Sequence, residues 1–268
     1  MRGTSKKGSQ RPTRIGSPMA KTTPDEVIYD VLGVPITATN LQAAAERIHA
    51  WKAGQSRYVG CRDVASLMVM AETPGLMAIA KNAAMNVPDG APVALLGRIK
   101  GHNVSRTCGP DLMEKLLTDP AYHDLKHFFY GGKDGVAEVL SQKFTAKGAQ
   151  IVGTYCPPFR PLSQTEDAKV IARIHNSGAD VVWVGISSPK QDIWMADHLG
   201  RINATMIGVG AAFDFHSGAV ERAPKWMQRA GLEWSFRLLQ EPRRLWRRYF
   251  ILAPKFVFRV MITGTGTA

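Results

Sequence analysis

The chain has 268 residues, 45% of them hydrophobic, and a formal net charge of +12. That length and apolar content fit one large α/β domain with appendages and are ample for a sizeable core. No run approaches the roughly 18 apolar residues of a membrane-spanning helix, and the first 21 residues lack the apolar stretch of a signal peptide. The three cysteines, Cys61, Cys108 and Cys156, are odd in number and far apart. They suggest neither a disulfide framework nor a zinc site, so a reducing, cytoplasmic setting is expected.

The charge is unevenly placed. Residues 1–21 hold six Lys/Arg and no acid, and residues 222–259 hold ten Lys/Arg against Glu233 and Glu241. The central part is therefore nearly neutral. Basic ends on a neutral body suit an anionic surface better than a nucleic-acid groove across the body.

In chain order, residues 1–24 are rich in Ser, Gly, Pro and Lys/Arg and read as a disordered basic tail. Residues 29–36 read as a first strand, and 41–52 as a helix with Asn40 as N-cap. A short strand at 57–61 follows, then helical pieces at 66–72 and 75–82 divided by Pro74. The stretch 84–87 leads into Val87-Pro88-Asp89-Gly90-Ala91-Pro92, after which 93–100 and 109–117 read as helices. Strands at 127–130, 150–155, 180–185 and 204–209 then alternate with helices, each reached through a loop bearing Gly or Pro. Repeated strand, loop and helix means a parallel sheet covered on both faces. The expected fold is a doubly wound, Rossmann-like α/β domain over residues 25–223. From residue 224 onward Trp, Leu, Phe and Tyr interleave with arginines and no strand intervenes. This stretch, 224–268, is expected to be a helical basic-aromatic appendage divided into about three pieces at Pro242 and Pro254. It reads either as a docking helix that completes the core or as a membrane-surface element whose Trp and Arg suit the headgroup region.

Asp89 stands in a turn stiffened by Pro88 and Pro92, where a strand hands over to a helix. In an α/β sheet, ligands sit in the crevice at the carboxyl ends of the strands. The same position also suits a helix cap. Three glycine-bearing loops follow predicted strands. They hold Gly131, Gly132 and Gly135; Ser188, Lys190 and Gln191; and Gly208 to Asp214. Such loops present backbone N–H groups beside a helix N-terminus, which suits phosphate. Asp214 reads as a nucleoside hydrogen-bonding group or as a structural cap. No metal site is expected, because the seven histidines are scattered and Asp-x-Asp is missing. No cofactor is expected either. A Gly-x-Ser-x-Gly elbow is also missing, so Ser187 and Ser188 read as loop donors rather than nucleophiles.

Taken together these motifs resemble the WecG/TagA/CpsF family of bacterial glycosyltransferases. The likeness rests on Leu32-Gly33-Val34-Pro35-Ile36, the Asp89 turn, Gly109-Pro110-Asp111-Leu112 and Phe129-Tyr130-Gly131-Gly132. It continues through Ser188-Pro189-Lys190-Gln191-Asp192, Gly208-Val209-Gly210-Ala211-Ala212-Phe213-Asp214, Arg222-Ala223-Pro224, Leu232-Glu233-Trp234 and Glu241-Pro242-Arg243-Arg244. The resemblance implies transfer of a sugar from a UDP-sugar to a polyprenyl-diphosphate-linked acceptor in cell-surface polysaccharide synthesis. The sugar would be of the N-acetylmannosamine type or another hexose or uronic acid. It further implies metal-independent, inverting chemistry by a peripheral protein on the inner face of the cytoplasmic membrane. The family's pocket aspartate falls on Asp89, and its arginine-bearing appendage falls after Pro224.

Two departures stand out. Where the family often has Thr-x-Asn, this chain has Cys61-Arg62-Asp63, and Pro-Lys-Gln-Glu becomes Pro-Lys-Gln-Asp with the shorter Asp192. The expected catalytic groups are Asp89 as base and an appendage arginine for the diphosphate, Arg237 and Arg244 foremost, with Arg243 and Arg247 as alternatives. Cys61, Asp63, Gly131, Gly132, Gly135, Ser188, Lys190, Gln191 and Asp214 are the expected substrate-binding set. Expected partners are the UDP-sugar, the lipid-linked acceptor and the membrane surface, with no nucleic acid. The oligomeric state, including a homo-oligomer, is left open. A rival reading is a non-catalytic nucleotide-binding module that docks on membrane or nucleic acid through its basic ends.

Overall fold

The structure is a computed structural model and describes residues 26–51 and 54–263. The expected basic tail at 1–24 lies outside the described residues. An antiparallel hairpin opens the fold, with β1 at Ile28–Val31 and β2 at Val34–Thr37. This corrects the expectation of one strand over 29–36. Leu32 and Gly33 both take positive φ, at 55° and 86°, the turn that folds two short strands back with the right twist. Gly33 N–H also donates to Asp30 Oδ1 at 2.9 Å. The apolar residues on both sides of Gly33 read as one strand, which hid the reversal.

A six-stranded sheet follows: β3 (Arg57–Arg62), β4 (Met85–Pro88), β5 (Lys126–Gly131), β6 (Gln150–Tyr155), β7 (Val181–Gly185) and β8 (Thr205–Gly208). Its order is β4-β3-β8-β7-β5-β6, and every pairing is parallel. Central strands such as Val181-Val182-Trp183-Val184 are buried throughout, as a sheet covered on two faces requires.

On one face lie α1 (Leu41–Ala50), α5 (Gly109–Thr118), α6 (Val136–Thr145) and α9 (Ala212–Ser217), around Leu112, Leu116, Phe129, Phe144, Trp183 and Phe213. On the other lie α7 (Gln164–Ser177) and α8 (Lys190–Asp197), around Tyr58, Phe128, Tyr130, Ile174, Val182 and Met206. The hairpin forms a third cluster with α2 (Val64–Glu72), α3 (Pro74–Lys81) and α4 (Ala91–Ile99). Two helix starts are fixed by reciprocal capping boxes, Asp63 with Ser66 and Ser163 with Glu166.

The C-terminal region folds as α10 (Lys225–Arg229), α11 (Glu233–Gln240), α12 (Pro242–Arg247), a π-helical segment at Arg248–Leu252, and α13 (Ala253–Thr263). Pro242 starts a helix, as expected. Pro254 ends none, because the helix continues across it. Proline has no N–H to bond back to the preceding turn, and the backbone widens into the π segment just ahead of it. Phe256 and Leu245 are buried, and Phe256 joins the hairpin cluster. The appendage is thus packed against the body through α2.

Candidate functional site

The carboxyl ends of β4 and β3 hold Asp89 and Asp63 side by side. Asp89 is fixed by its neighbours on both sides. Its N–H donates to Arg62 O at 2.9 Å, and Thr107 N–H donates to Pro88 O at 2.9 Å. Gly90 at φ 109° turns the chain into α4, and its helix receives no side-chain cap. The carboxylate of Asp89 is therefore not a cap, and among the described residues it takes no hydrogen bond. Burial pushes it up to about 7; Asp63 and Glu233 act in the same direction, against Arg106 and Arg248. A half-buried carboxylate held near neutrality is suited to exchanging protons.

Four arginines surround this carboxylate pair, and each carries a carboxylate partner. Arg248 pairs with Asp63. Arg106 pairs with Glu233 of α11. Arg222 bonds Asp111 at 2.5 Å and reaches Glu233 at 3.4 Å. Cys108 lies between them, donating to Asp111 Oδ2 at 2.9 Å and accepting from Arg106 and Arg222 at 3.4 Å each. Burial pushes the thiols of Cys61 and Cys108 up, with Asp89 adding to the effect, so neither is a thiolate at neutral pH. The fourth arginine, Arg62, lies beneath the site at 1% exposure. It donates to Asn86 Oδ1 at 2.7 Å and pairs with Asp192, whose other oxygen accepts from Ser188 Oγ at 2.6 Å.

The expected site residues are distributed as follows. Cys61, Asp63 and Asp89 come together at the β3 and β4 ends. Asp63 is engaged twice, by the Ser66 N–H at 2.7 Å as the cap of α2 and by Arg248. Gln191 is buried, and its Oε1 accepts from Gly210 N–H at 3.0 Å, clamping the loop after β8. Ser188 supports Asp192. Gly131 and Gly132 are needed for close strand approach: a Cβ on Gly131 would lie 2.6 Å from Gly185 O, and Gly132 N–H already donates to that oxygen at 3.0 Å. Gly135 starts α6 with φ 81° and open space around it. Asp214 sits in the first turn of α9. Lys190 is exposed, with Nζ 5.1 Å from the Phe159 ring centre.

The appendage arginine that reaches the carboxylates is Arg248. Arg237 instead lies 5.4 Å over the Phe215 ring, and Arg243 and Arg247 are exposed. The Arg244 side chain lies outside the described residues. Sequence reasoning therefore missed Arg248, Arg106, Arg222 and Glu233. Arg222 and Glu233 belong to the quoted motifs Arg-Ala-Pro and Leu-Glu-Trp, which was the available signal. Arg106 and Arg248 had none beyond charge.

An open parallel sheet whose carboxyl edge carries a recessed carboxylate among several arginines has that edge where α/β folds place their ligands. The family model for the glycosyl transferase WecG/TagA/CpsF family matches residues 29–267, and the chain belongs to that family. It is a transferase of cell-surface polysaccharide synthesis, acting between a sugar donor and an acceptor substrate. Among the described residues no group of three or more His, Cys, Asp or Glu side chains is arranged to hold a metal ion, and no helix is long and apolar enough to cross a membrane.

Proposed function

We propose that the protein transfers a sugar from a UDP-sugar to a polyprenyl-diphosphate-linked acceptor, without a metal and with inversion at the anomeric carbon. The carrying observation is the Asp89 carboxylate, rigidly held, unbonded and raised to about 7 between Arg106 and Arg248. In this reading Asp89 takes the proton of the acceptor hydroxyl as its oxygen forms the new bond to the anomeric carbon. The sugar–phosphate bond breaks on the opposite face, and UDP leaves with the electron pair. Without a metal, the diphosphate needs fixed cations and N–H donors. Arg248 and Arg106 supply charge, exchanging their carboxylate partners for phosphate oxygens.

The lipid-linked acceptor and a peripheral place on the inner membrane face are part of the same proposal. Its support is the exposed apolar set Leu239, Trp246, Phe250, Phe258, Met261 and Ile262 beside exposed Arg243 and Arg247. Aromatic and apolar groups mixed with cations suit an anionic headgroup layer. The test is a screen of UDP-sugars against short-chain lipid-diphosphate acceptors, with and without excess EDTA. UDP release coupled to a new glycosidic bond, unchanged by EDTA, is expected. Binding of UDP-sugars without turnover on any acceptor would favour the non-catalytic module, and loss of turnover in EDTA restored by Mg²⁺ would remove the metal-independent mechanism.

A further inference from the structure

The loop after β6 carries a feature that the site around Asp89 does not use. It reads Cys156-Pro157-Pro158-Phe159-Arg160-Pro161-Leu162, and its three prolines restrict the backbone before any ligand arrives. Cys156 Sγ lies 3.3 Å from Gly132 O and from Asp134 Oδ1, tying the start of the loop to the loop after β5. On the other side of Phe159, Arg160 donates to both carboxylate oxygens of Glu166 at 2.8 and 2.6 Å and to Pro161 O at 3.1 Å. Arg160 N–H donates to Pro158 O at 2.7 Å. Phe159 between them is fully exposed. Its ring is approached by the Lys190 ammonium, 5.1 Å from the centre.

A single exposed phenylalanine on a surface is ordinary. This one differs in support and in place. Its loop is pinned on both sides, so the ring is held without packing of its own. It also stands at the carboxyl edge of the sheet, where loops from β5, β6 and β7 converge. Lys190 follows β7, which is three strand spacings from β4 in the order β4-β3-β8-β7. Phe159 follows β6, five spacings from β4, and the 5.1 Å contact joins its ring to Lys190. The lateral span from the Asp89 end is thus about 14 Å to the β7 end and about 24 Å to the β6 end, and an extended nucleoside-diphosphate sugar reaches a length between these. With the sugar at Asp89 and the diphosphate between, the base falls at the Phe159 end.

We propose that Phe159 is the stacking platform for the base of the donor nucleotide, and that Lys190 moves from the ring onto a phosphate oxygen when the base arrives. The proposal rests on the reading of the donor as a nucleoside-diphosphate sugar. A preset ring offers a π face at little ordering cost, and every base has a π face to match it. In the free protein the Lys190 ammonium rests beside that exposed ring by cation–π attraction, 5.1 Å from its centre.

The test uses the full chain, with calorimetric titration of UDP and of inorganic pyrophosphate. Phe159→Ala should weaken UDP about tenfold, as loss of one base stack does, and leave pyrophosphate unchanged. Phe159→Trp should retain UDP affinity, while Phe159→Leu should behave like the alanine variant. Thermal melting of each variant checks that the loop change leaves the fold intact. An alanine variant that binds UDP like wild type, or a leucine variant as good as tryptophan, would overturn the platform. Equal loss of UDP and pyrophosphate would overturn it too, since that marks a distorted site. If wild type turns over a UDP-sugar and the alanine variant binds UDP unchanged, the platform falls and the proposed reaction stands. If wild type binds no UDP at all, both fall.

Discussion

Replacing Asp89 by Asn separates catalysis from stability. The carboxyl is pushed up to about 7, from an ordinary value of 3.8, chiefly by burial. In the native state it therefore keeps its proton until near neutrality, while the unfolded chain releases it near pH 4. Between these values the native state binds more protons, so stability falls as pH rises through that window. The gap converts at 1.36 kcal/mol per pH unit to about 4 kcal/mol as a ceiling. Partial exposure screens this charge, and Asn also gives up the attraction of Arg106 and Arg248, so about 1–3 kcal/mol is expected. Asp89→Asn should therefore melt several degrees higher than wild type at pH 8.5, by clearly less at pH 5, and at about the same temperature only below about pH 4, where the unfolded carboxyl is protonated too. Transfer should fall by about 10²–10⁴-fold, the loss expected on removing a general base, with UDP affinity retained. In wild type, kcat/KM should rise with pH to a plateau, with its midpoint near 7. Scanning calorimetry at these pH values and a pH–rate profile check both halves. A melting difference that is the same at pH 5 and 8.5, or a flat profile between pH 6 and 8, would refute the perturbed carboxylate as base.

Arg248→Ala should lower kcat by about 10²-fold, as removal of one charge-stabilising donor does, whereas Arg243→Ala should change little; steady-state kinetics on a soluble acceptor compares them. Arg62→Met leaves Asp192 buried without its cation and should cost about 3–5 kcal/mol in urea melts. Pairing it with Asp192→Leu should recover much of that loss, and a double variant no better than the single one would show that the pair does not act as a unit. Replacing Trp246, Phe250 and Phe258 by Ser should abolish co-sedimentation with anionic vesicles at physiological salt while leaving transfer to a soluble acceptor within a few-fold of wild type.

The parallel sheet was legible because its strands are buried on both faces and separated by glycine- and proline-bearing turns. Residues 181–184 and 205–208 form apolar runs too short for helices and are closed by glycine, and that combination admits little else. The hairpin was not legible. Its turn, Leu32-Gly33, places a leucine at φ 55°, a residue that signals strand rather than reversal. The π segment before Pro254 was equally hidden, since the proline predicts a helix boundary and the structure answers with a wider turn.

The site was legible where backbone geometry dictates residue type and opaque where charge alone decides. Pro88-Asp89-Gly90 marks a rigid turn at a strand end, and that turn carries Asp89 in the structure. Nothing in an arginine-rich helix says which guanidinium faces inward. Arg243, Arg247 and Arg248 differ only in angle around the helix axis. The π segment resets that angle from Arg248 onward, so a count by 3.6 residues cannot select the inward one. Glu233 and Asp63 provide the complementary logic. Glu233 lies in the appendage and Asp63 in the body, and each faces a guanidinium across the seam, Arg106 and Arg248 respectively. The Arg106–Glu233 and Arg248–Asp63 pairs hold arginines next to Asp89, and both join the appendage to the body. An anionic substrate that displaces these carboxylates therefore tests the docking of the appendage at the moment it enters the site.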